Sequence, residues 1–475
     1  MHKAMISSML LAATALSGCN MAPKHVRPDM PTAAAYPERY AGDVTIGQRA
    51  TEIGWRDFLA DPQLEQLVTL ALAHNRDLAI AVAQIEEARG QYRIQDSGRL
   101  PNVDATGSVL RSRTPLAASG VPGQQGAVTF DRYTVGVGVS SFELDFWGRV
   151  RNLSDAARAE YLATIEAERA FRLALTRDVA SAYFAGREAA ERIALAEATV
   201  HSRQEGLRIA KRRLDAGVTS ALDFRQSESL LTQAETELAG LKLAKAQSDN
   251  FLNVLTGGPV PDDLPEALPL ARQASPAELV AGLPSDLLVA RPDIIAAEER
   301  LRSARANVGA ARAAFFPTIS LTGNIGFSSD SLGKLVGENG FAWSFGPSIS
   351  LPIFDFGRTK GNLTVAEARE NIAIASYEKT IQTAFQEVAN ALAGRRYLAE
   401  QVAAQERNTE AQRRIARLAQ TRYREGVANY LEVLDAERNL FSAEQALLQL
   451  RRAQADNLVA LYVALGGGPI DRAQP

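Results

Sequence analysis

Apolar and polar residues alternate in four short stretches of the chain. Residues 103–109 place Val, Ala, Gly and Val on one side and Asp, Thr and Ser on the other, and residues 133–139 continue with the same period. Residues 319–328 and 341–353 repeat this arrangement. Because side chains along a strand point alternately to its two faces, a period of two predicts strands with one apolar and one polar face. The sequence therefore predicts two β-hairpins, at about 101–147 and 317–356.

Helical periodicity fills most of the remaining chain. It begins near Pro62, a favourable residue for a first helical turn, and continues to about residue 98. Beyond the hairpins the helical stretches are much longer, since almost no proline or turn cluster interrupts residues 148–217 and none interrupts residues 357–426. At about 1.5 Å per residue such a stretch would reach roughly 100 Å, which predicts rods or coiled coils.

The helix predicted after residue 426 carries two apolar stripes on opposite sides. Each stripe recurs every seven residues, with Leu434, Phe441 and Leu448 in one and Ala436, Ala443 and Leu450 in the other. Two opposed stripes suit a helix that packs between two neighbours, as in the wall of a helical tube. The alternative is a plain two-helix coiled coil, which requires only one stripe.

The chain is a tandem duplication with a period of 209 residues. Gly426 follows Gly217 by this distance, the Gly-Arg pairs at 148–149 and 357–358 keep it, and so do two apolar pairs, Val218/Val427 and Leu222/Leu431. A period this long indicates two copies of one unit, each ending in a helical hairpin with a tip. The predicted domains are repeat 1 over 61–258, a Pro-rich connector over 259–285, repeat 2 over 286–468 and a C-terminal tail over 469–475.

The first residues have the pattern of a secretory leader. His2 and Lys3 precede an apolar segment, which ends in Leu-Ser-Gly-Cys at 16–19. This ending resembles a bacterial lipobox, which implies a lipoprotein signal peptide over 1–18 and a covalent lipid such as palmitate on Cys19. Residues 19–60 are rich in Pro and Ala and are expected to form an extended, lipid-anchored tether. The alternative is an ordinary secretory signal with a chance cysteine.

Charge and motif content exclude several functions. The net charge of −3 lacks the basic excess of nucleic-acid-binding proteins. No run of eighteen apolar residues follows the leader, so no membrane-spanning helix is predicted. The chain contains no H-E-x-x-H, no G-x-S-x-G and no phosphate-loop motif. We therefore expect no enzymatic activity, no catalytic residues, no metal site and no cofactor apart from the lipid.

The predicted hairpins supply only four strands per chain. Four strands cannot close a barrel, and open sheet edges are not tolerated in lipid. If the hairpins cross a membrane, several chains must therefore pool them, with the polar rows lining water and the apolar rows facing acyl chains. The alternative is that both hairpins pack on a soluble core.

Four features of the sequence are typical of one family: the two helical tips, the Gly-Arg pairs that follow the two hairpins, the Asp-Leu-Leu-Val-Ala-Arg-Pro-Asp-Ile motif over 286–294, and the lipobox. Together they resemble the outer membrane factor family. These are the TolC-like exit ducts of tripartite efflux pumps, and the chain is similar to their OprM-like, NodT-type lipoprotein branch over about residues 60–468. The resemblance implies an α+β membrane protein. It would be a homotrimer whose transmembrane β-barrel takes four strands from each chain and continues as a long periplasmic α-helical barrel. The connector and both termini would form a mixed equatorial region.

The resemblance also implies a gate at the periplasmic mouth, held closed by the second helical hairpin. Carried over by position, Glu432 and Asp435 match an acidic pair that constricts the mouth, and Tyr423 matches a tyrosine that helps to latch it. Three chains would place six carboxylates around a narrow opening, an arrangement that attracts cations. The alternative is that these charges form an ordinary solvated helix face.

One position departs from the gate of some relatives. Ala428 stands where they carry a latching arginine. Arg422 and Arg424 lie close by in the sequence, and our hypothesis is that they substitute for it.

The resemblance places an adaptor-docking site in the grooves between the hairpin tips. The candidate residues are small or apolar: Gly217, Val218, Ser220, Leu222, Gly426, Val427 and Leu431. Such residues let another helical hairpin approach closely, and the glycines also make the turns.

We therefore expect an outer-membrane channel, anchored by lipid and extending into the periplasm, that passes drugs or other small molecules outward. Its partners would be a periplasmic adaptor and an inner-membrane pump of the resistance-nodulation-division type. One alternative is the outer channel of a type I protein secretion system. Another is an envelope coiled-coil lipoprotein that conducts nothing.

Overall fold

The structure is a computed structural model that describes residues 20–37, 47–115, 126–273, 279–337 and 339–468. The strands are β1 (Gln48–Arg49), β2 (Val103–Pro115), β3 (Ala127–Glu143), β4 (Leu279–Val280), β5 (Thr318–Ser329) and β6 (Phe341–Ser350). The α-helices are α1 (Trp55–Phe58), α2 (Pro62–His74), α3 (Arg76–Ser97), α4 (Arg149–Asp215), α5 (Ala221–Leu255), α6 (Leu287–Ala290), α7 (Pro292–Ala313), α8 (Arg358–Arg424) and α9 (Tyr430–Ala464).

The chain divides into two compact units. The first unit comprises Met1–Pro28, Gln84–Thr164 and Ala297–Tyr377, and the second comprises Asp29–Ala83, Ile165–Ala296 and Glu378–Pro475. The four long strands lie in the first unit, and both helical tips lie in the second.

The four long strands of the first unit form one antiparallel sheet in the order β2-β3-β5-β6. An apolar row crosses all four strands at Ala105, Val137, Ile325 and Trp343. The adjacent row is mainly polar, at Asp104, Gly138, Asn324 and Ser344. Since neighbouring residues point to opposite faces, the sheet has one apolar and one polar face, as the alternation predicted.

The apolar face of this sheet is exposed. Val109, Ile325 and Trp343 are all more than half exposed in the chain. The hairpins therefore do not pack on a soluble core formed by the described residues, which removes that alternative.

The two hairpins meet where β3 pairs with β5, and glycines allow the backbones of these strands to lie close together. Gly136 pairs with Gly326 in the register. A Cβ added at Gly136 would lie 2.8 Å from the Ile325 carbonyl oxygen, and one at Gly326 would overlap the Val135 carbonyl. A side chain at either position would therefore push the two hairpins apart.

The turn that connects the first hairpin to α4 is held by contacts with the residues just before β5. The Trp147 indole N–H donates to the Pro317 carbonyl at 2.9 Å, and its ring stacks on Phe316 with 4.7 Å between ring centres. Gly148 follows with a φ of 75°, a left-handed conformation that glycine adopts without strain. Arg149 then begins α4 and pairs with Glu143, Nη2 to Oε2 at 2.5 Å.

The N-terminal segment 20–28, the first part of the predicted extended tether that the structure describes, is docked on α7. The buried Glu298 carboxylate accepts from Arg27 Nε at 3.1 Å and from Arg302 Nη2 at 2.9 Å, and His25 Nε2 lies 3.0 Å from it. Arg305 donates to the Val26 carbonyl at 2.8 Å. A buried carboxylate requires several partners, and here two of them come from the N-terminal segment.

Residues 47–60 of the predicted tether are also packed, in the second unit. Residues 55–58 form α1, and the Phe58 ring stacks on Tyr462 with 4.3 Å between ring centres. The Tyr462 hydroxyl donates to the Ile53 carbonyl at 2.8 Å. Strand β1 pairs in parallel with β4 of the connector. Apolar side chains at Ile53, Trp55 and Phe58 have core partners, so this segment folds instead of remaining extended.

A buried aspartate joins the connector to the helices of the second unit. Asp61 is fully buried at the start of α2. Its carboxylate accepts from the Tyr183 hydroxyl at 2.6 Å, from the Leu268 N–H at 2.9 Å, and from the Gln273 amide at 2.6 Å. It also accepts from the Gln63 N–H at 2.9 Å, which caps α2.

The helix predicted over residues 62–98 is broken at Asn75, which corrects the expectation of one continuous helix. Asn75 has a non-helical ψ of 131° between α2 and α3. Its side-chain carbonyl accepts from the Leu78 N–H at 2.9 Å, and its amide donates to the Leu255 carbonyl at 2.9 Å. One buried side chain thus begins α3 and satisfies a carbonyl in the last turn of α5.

Arg291 makes the corresponding break in the second repeat. It lies between α6 and α7, and its Nη1 donates to the Ala464 carbonyl at the end of α9 at 3.1 Å. The guanidinium also binds Asp293 at 2.6 Å and Glu387 at 2.7 Å. Because α3 and α7 both have 22 residues, Asn75 and Arg291 occupy equivalent places in the duplication.

The helix α9 packs on two sides, as its two stripes predicted. All six stripe residues are buried or half-buried within the chain. Gln405 of α8 donates to the Ala443 carbonyl at 2.9 Å, and the Arg203 guanidinium of α4 lies 5.8 Å from the centre of the Phe441 ring. Two neighbouring helices therefore contact α9, which is more than a two-helix coiled coil provides.

None of the helices in the described part of the chain is both long and apolar enough to cross a membrane.

Candidate functional site

The two helical tips are equivalent turns in the second unit. After α4, the Gly217 N–H donates to the Leu214 carbonyl at 2.9 Å and the Val218 N–H donates to the Arg213 carbonyl at 2.9 Å. This pair of bonds is a Schellman motif, which requires a left-handed residue, and Gly217 has a φ of 71°. Gly426 repeats the motif after α8 with a φ of 74°.

A polar cap begins the returning helix at each tip. At the first tip, the Ser220 hydroxyl accepts from the Asp223 N–H at 3.2 Å. The Thr219 hydroxyl donates to Asp223 at 2.6 Å, and this bond together with the Ser220 N–H lowers the pKa of the Asp223 carboxyl. At the second tip, the Asn429 side chain accepts from the Glu432 N–H at 3.1 Å. Ser220, a predicted docking residue, thus has its hydroxyl engaged in capping the turn.

The apolar residues predicted for docking lie at the surface of the tips. Val218, Leu222, Val427 and Leu431 are 64%, 65%, 66% and 46% exposed. A groove of about 500 Å³ runs between the first and second tip of the same chain, and Val218, Leu222 and Leu431 line it. The structure thus brings together predicted docking residues from both repeats.

The predicted latch tyrosine lies between the two tips. Tyr423 accepts a hydrogen bond from Arg213 Nη1 through its hydroxyl, and its ring centre lies 5.1 Å from that of Tyr430. Both rings pack against a small core of Ala419, Val433 and Ala436. Arg213 belongs to α4, so Tyr423 connects the first hairpin to the second.

Both predicted gate acids form ion pairs within their own chain. Arg422 Nη1 lies 3.0 Å from Glu432 Oε1, and Arg438 Nη2 lies 3.0 Å from Asp435 Oδ1. Arg422 thus takes an acidic partner across the second tip, whereas Arg424 is exposed. These four charges are partly exposed, so each pair contributes little to stability on its own.

A buried arginine of α4 with a partly buried glutamate of α9 nearby was not expected from the sequence. Arg203 is buried in α4 and donates to the Leu230 carbonyl at 2.6 Å. Burial lowers the pKa of Arg203, and the nearby Glu437 opposes this shift. Burial likewise raises the pKa of Glu437, and Arg203 opposes that shift. In the sequence, Glu437 follows Glu228 by 209 residues, the period of the duplication, whereas no pattern marks Arg203.

Tyr430 also contributes to the contact between the hairpins. A Cβ added at Gly206 of α4 would overlap the Tyr430 hydroxyl, so glycine makes room for this ring. Burial, with Glu437 and Tyr423 nearby, raises the pKa of Tyr430 to about 12. Tyr430 was not among the predicted site residues.

One predicted site lies outside the described part of the chain. Cys19, the predicted lipidation site, lies just before the first described residue. No group of His, Cys, Asp or Glu side chains with the arrangement of a metal site occurs among the described residues.

Comparisons with known proteins agree with this architecture. Residues 67–258 and 283–467 match the family described as outer membrane efflux protein. The chain is 42% identical over 463 residues to the probable efflux pump outer membrane protein TtgC of Pseudomonas putida, covering 97% of this chain and 95% of TtgC. It is 39% identical over 457 residues to the cation efflux system protein CusC of Escherichia coli, covering 96% and 98%.

A solved structure supports the same assignment. The open state of the MtrE outer membrane channel of Neisseria gonorrhoeae superposes with a TM-score of 0.85 at 40% identity, covering 94% of this chain and 98% of MtrE. Both the sequence relatives and this structure match nearly the whole chain. The chain belongs to the outer membrane efflux protein family and is an outer-membrane exit channel for efflux.

Proposed function

We propose that three copies of this chain form a twelve-stranded barrel in the outer membrane, which continues as a helical barrel in the periplasm. The observation that carries the proposal is the four-stranded sheet, in which β2 pairs only with β3 and β6 only with β5 among the described strands. Unpaired backbone groups at both edges would be costly in lipid. Copies that pair edge to edge remove this cost, and three copies agree with the family resemblance.

The two faces of the sheet support the orientation of such a barrel. The apolar row that ends at Trp343 would face acyl chains, and the row that ends at Ser344 would line the water-filled bore. Passage through the bore would be passive, and the protein would act by gating and docking.

The tips support docking of a periplasmic adaptor. Val218, Leu222, Val427 and Leu431 are apolar and exposed at the end of the chain's longest helices. An amphipathic helical hairpin can bury such residues when it enters the groove between the two tips. The adaptor would in turn connect the channel to an inner-membrane pump of the resistance-nodulation-division type.

The charged residues of the second tip support a gate. Glu432 and Asp435 from three chains would surround the mouth, with Arg422 and Arg438 reducing their net charge. Tyr423, held by Arg213, would keep the second hairpin against the first and the mouth closed. A covalent lipid on Cys19 would anchor each chain in the outer membrane.

The cargo would be drugs or other small molecules. CusC is named as a cation efflux protein, and the relative named TtgC in another Pseudomonas putida strain is described as a toluene efflux pump component. Relatives with such different cargo share about 40% identity with this chain, which supports a duct whose cargo is selected by the pump.

Accumulation of a fluorescent pump substrate in cells tests the proposal. Deletion of the protein should raise accumulation, and Gly426→Asp should have the same effect while the protein still inserts as a trimer. Asp is strained at a φ of 74° and places a charge on the docking surface. Cys19→Ala, compared in parallel, measures the contribution of the lipid.

Other outcomes would favour the remaining alternatives. Unchanged accumulation together with loss of a secreted protein would replace efflux by type I secretion. A purified protein that forms no conducting pore in a planar bilayer would favour the coiled-coil lipoprotein.

A further inference from the structure

Phe356, in the first unit, is unusual in both its exposure and its backbone conformation. Its side chain is fully exposed, and its φ of 54° makes it the only described non-glycine residue in the left-handed region. A bulky residue rarely adopts this conformation, because its side chain crowds the backbone. Because the ring is fully exposed, none of the described residues covers it.

The duplication identifies the counterpart of Phe356. Phe356 directly precedes Gly357-Arg358, as Trp147 directly precedes Gly148-Arg149. Trp147 is not exposed in the same way, because its ring stacks on Phe316 and its indole donates to the Pro317 carbonyl. The first hairpin therefore has a partner at its exit, supplied by the start of the second hairpin.

The partner surface of Trp147 is also duplicated. Phe316 and Pro317 follow α7 and precede β5, and Leu100 and Pro101 follow α3 and precede β2. Leu100 is 72% exposed. One chain thus has an exposed aromatic side chain just after β6, one edge strand of its sheet, and an exposed apolar surface just before β2, the other edge strand.

We propose that Phe356 packs on Leu100 and Pro101 of the partner subunit, so that the contact of Trp147 inside the chain is repeated between chains. This inference rests on the proposed edge-to-edge assembly and specifies its interface. In that arrangement β6 pairs with β2 of the partner subunit in the way that β3 pairs with β5 within the chain. Burial of the Phe356 ring would then offset its unfavourable backbone conformation.

The duplication also gives the register of this pairing. Val103 pairs with Val139 in the first hairpin, and Ile319 pairs with Ile349 in the second, so these positions correspond. Gly138 pairs with Asn324 where the hairpins meet. Gly138 is one residue before Val139, and Asn324 is five residues after Ile319. The corresponding residues are therefore Ser348, one before Ile349, and Ser108, five after Val103. Ser348 should therefore lie opposite Ser108 of the partner subunit.

A second pair follows in the same way. Thr134, which is five residues before Val139, pairs within the chain with Ser328, which is nine residues after Ile319. The corresponding residues are Ser344, five before Ile349, and Ser112, nine after Val103. Ser344 should therefore lie opposite Ser112 of the partner subunit. All four serines lie on the polar face, where an oxidant in water can reach engineered thiols.

Disulfide trapping with serine-to-cysteine pairs tests the register. The matched pairs are Ser348→Cys with Ser108→Cys and Ser344→Cys with Ser112→Cys. The crossed pairs, Ser348→Cys with Ser112→Cys and Ser344→Cys with Ser108→Cys, use the same four substitutions. Opposed residues in a sheet lie close enough for a disulfide, whereas a shift of four residues separates them by about 13 Å. Matched pairs should give covalent dimers and trimers on a denaturing gel, and crossed pairs should not.

The outcomes separate this inference from the proposed function. Crosslinking by the crossed pairs, or by no pair in a protein that native mass spectrometry shows to be trimeric, would overturn the register and leave the trimer intact. A monomer by native mass spectrometry would overturn the proposed assembly itself.

Substitutions at Phe356 test the contact independently. Phe356→Ala should lower the temperature at which the trimer dissociates in detergent. Phe356→Trp should keep it or raise it, because the indole can donate to the Pro101 carbonyl of the partner subunit as Trp147 does to Pro317. Phe354→Ala is the matched control, since Phe354 is also highly exposed but does not occupy the Trp147 position. Equal effects of Phe354→Ala and Phe356→Ala would overturn the proposed contact.

Discussion

The guanidinium of Arg213 lies 5.4 Å from the centre of the Tyr423 ring and donates a hydrogen bond to the Tyr423 hydroxyl. Arg213 lies in the last turn of α4, the outgoing helix of the first hairpin, and Tyr423 lies in the last turn of α8, that of the second. The contact therefore joins the two tips, and it combines a cation–π interaction with a charge-assisted hydrogen bond. In the proposed gate, this contact opposes movement of the second hairpin away from the first.

Substitutions at Tyr423 should open the channel in a graded manner. Tyr423→Phe keeps the ring over Arg213 and removes the hydrogen bond, whereas Tyr423→Ala removes both. Resting leak should rise in the order wild type, Phe, Ala, with about a fivefold rise for each kcal/mol that is lost. Conductance in planar bilayers and sensitivity of cells to a large hydrophilic antibiotic measure the leak. Tyr397→Phe, on α8 but outside the tip, is the control; an equal leak in that variant would contradict the role of Tyr423.

The ion pair between Arg422 and Glu432 should set charge selectivity at the mouth. Arg422→Gln leaves Glu432 without its partner, so the ratio of cation to anion permeability should rise, and Glu432→Gln should lower it. The reversal potential across a bilayer with a salt gradient measures this ratio. Arg424→Gln removes the same charge from the same turn without unpairing an acid. Identical shifts for Arg422→Gln and Arg424→Gln would show that net charge alone matters.

Much of the fold was predictable because its determinants are local. A period of two gave the hairpins, and the scarcity of proline and turn clusters gave two helices that each reach 67 residues. Gly217 and Gly426 marked both tips, since a left-handed residue is required wherever a Schellman motif ends a helix. Duplication strengthened these predictions, because the hairpins, the long helices and the tips each occur twice.

The features that the sequence did not predict depend on contacts between distant residues. The helix break at Asn75 serves a carbonyl 180 residues later, and His25 meets Glu298 across 273 residues. Arg203 and Glu437 are adjacent only in the folded chain. Periodicity carries no information about such contacts, so the docked N-terminal segment and the proximity of Arg203 and Glu437 became visible only in the structure.

Acid should release the N-terminal segment from α7. Burial alone would raise the pKa of Glu298, but hydrogen bonds from Arg27, His25 and Arg302 outweigh it and lower the pKa to about 2. The folded pKa is therefore below the unfolded value near 4.5, so this contribution is complete above pH 4.5 and is lost as the pH falls towards 2. Burial also lowers the pKa of His25, and its protonation on acidification acts in the same direction.

Hydrogen exchange of residues 20–28 measures this release. After correction for the intrinsic rate, exchange should be slow at pH 7, begin to rise below pH 6.5 as His25 protonates, and rise further between pH 4.5 and 2 as Glu298 protonates. Glu298→Gln should show rapid exchange already at pH 7, because a neutral amide cannot pair with Arg27 and Arg302. Glu367→Gln, which removes a half-exposed carboxylate paired with Arg312, should leave the segment protected. Protection retained in Glu298→Gln would refute the anchoring role of this carboxylate.

The two helix breaks should differ in their contribution to stability although they are equivalent in the duplication. Asn75→Ala removes the bonds to Leu255 and Leu78, at a cost of about 1–3 kcal/mol for buried groups left unpaired. Arg291→Ala also removes a buried charge that binds Asp293 and Glu387, and loss of a buried ion-pair partner costs about 3–5 kcal/mol. Because Glu387 is half exposed, we expect the lower end of that range.

Replacement of Arg291 by asparagine tests whether the two residues at the helix breaks have the same role. In the first repeat Asn75 both donates to the end of α5 and accepts from the first turn of α3. In the second repeat Arg291 donates to Ala464, while Asp293 accepts from the Ile294 N–H at 3.0 Å. Arg291→Asn should therefore recover part of the stability that Arg291→Ala loses, because the amide can reach a carbonyl in the last turn of α9. Thermal unfolding followed by helical circular dichroism gives the order wild type, Arg291→Asn, Arg291→Ala; equal stability of the two variants would mean that only the charge of Arg291 matters.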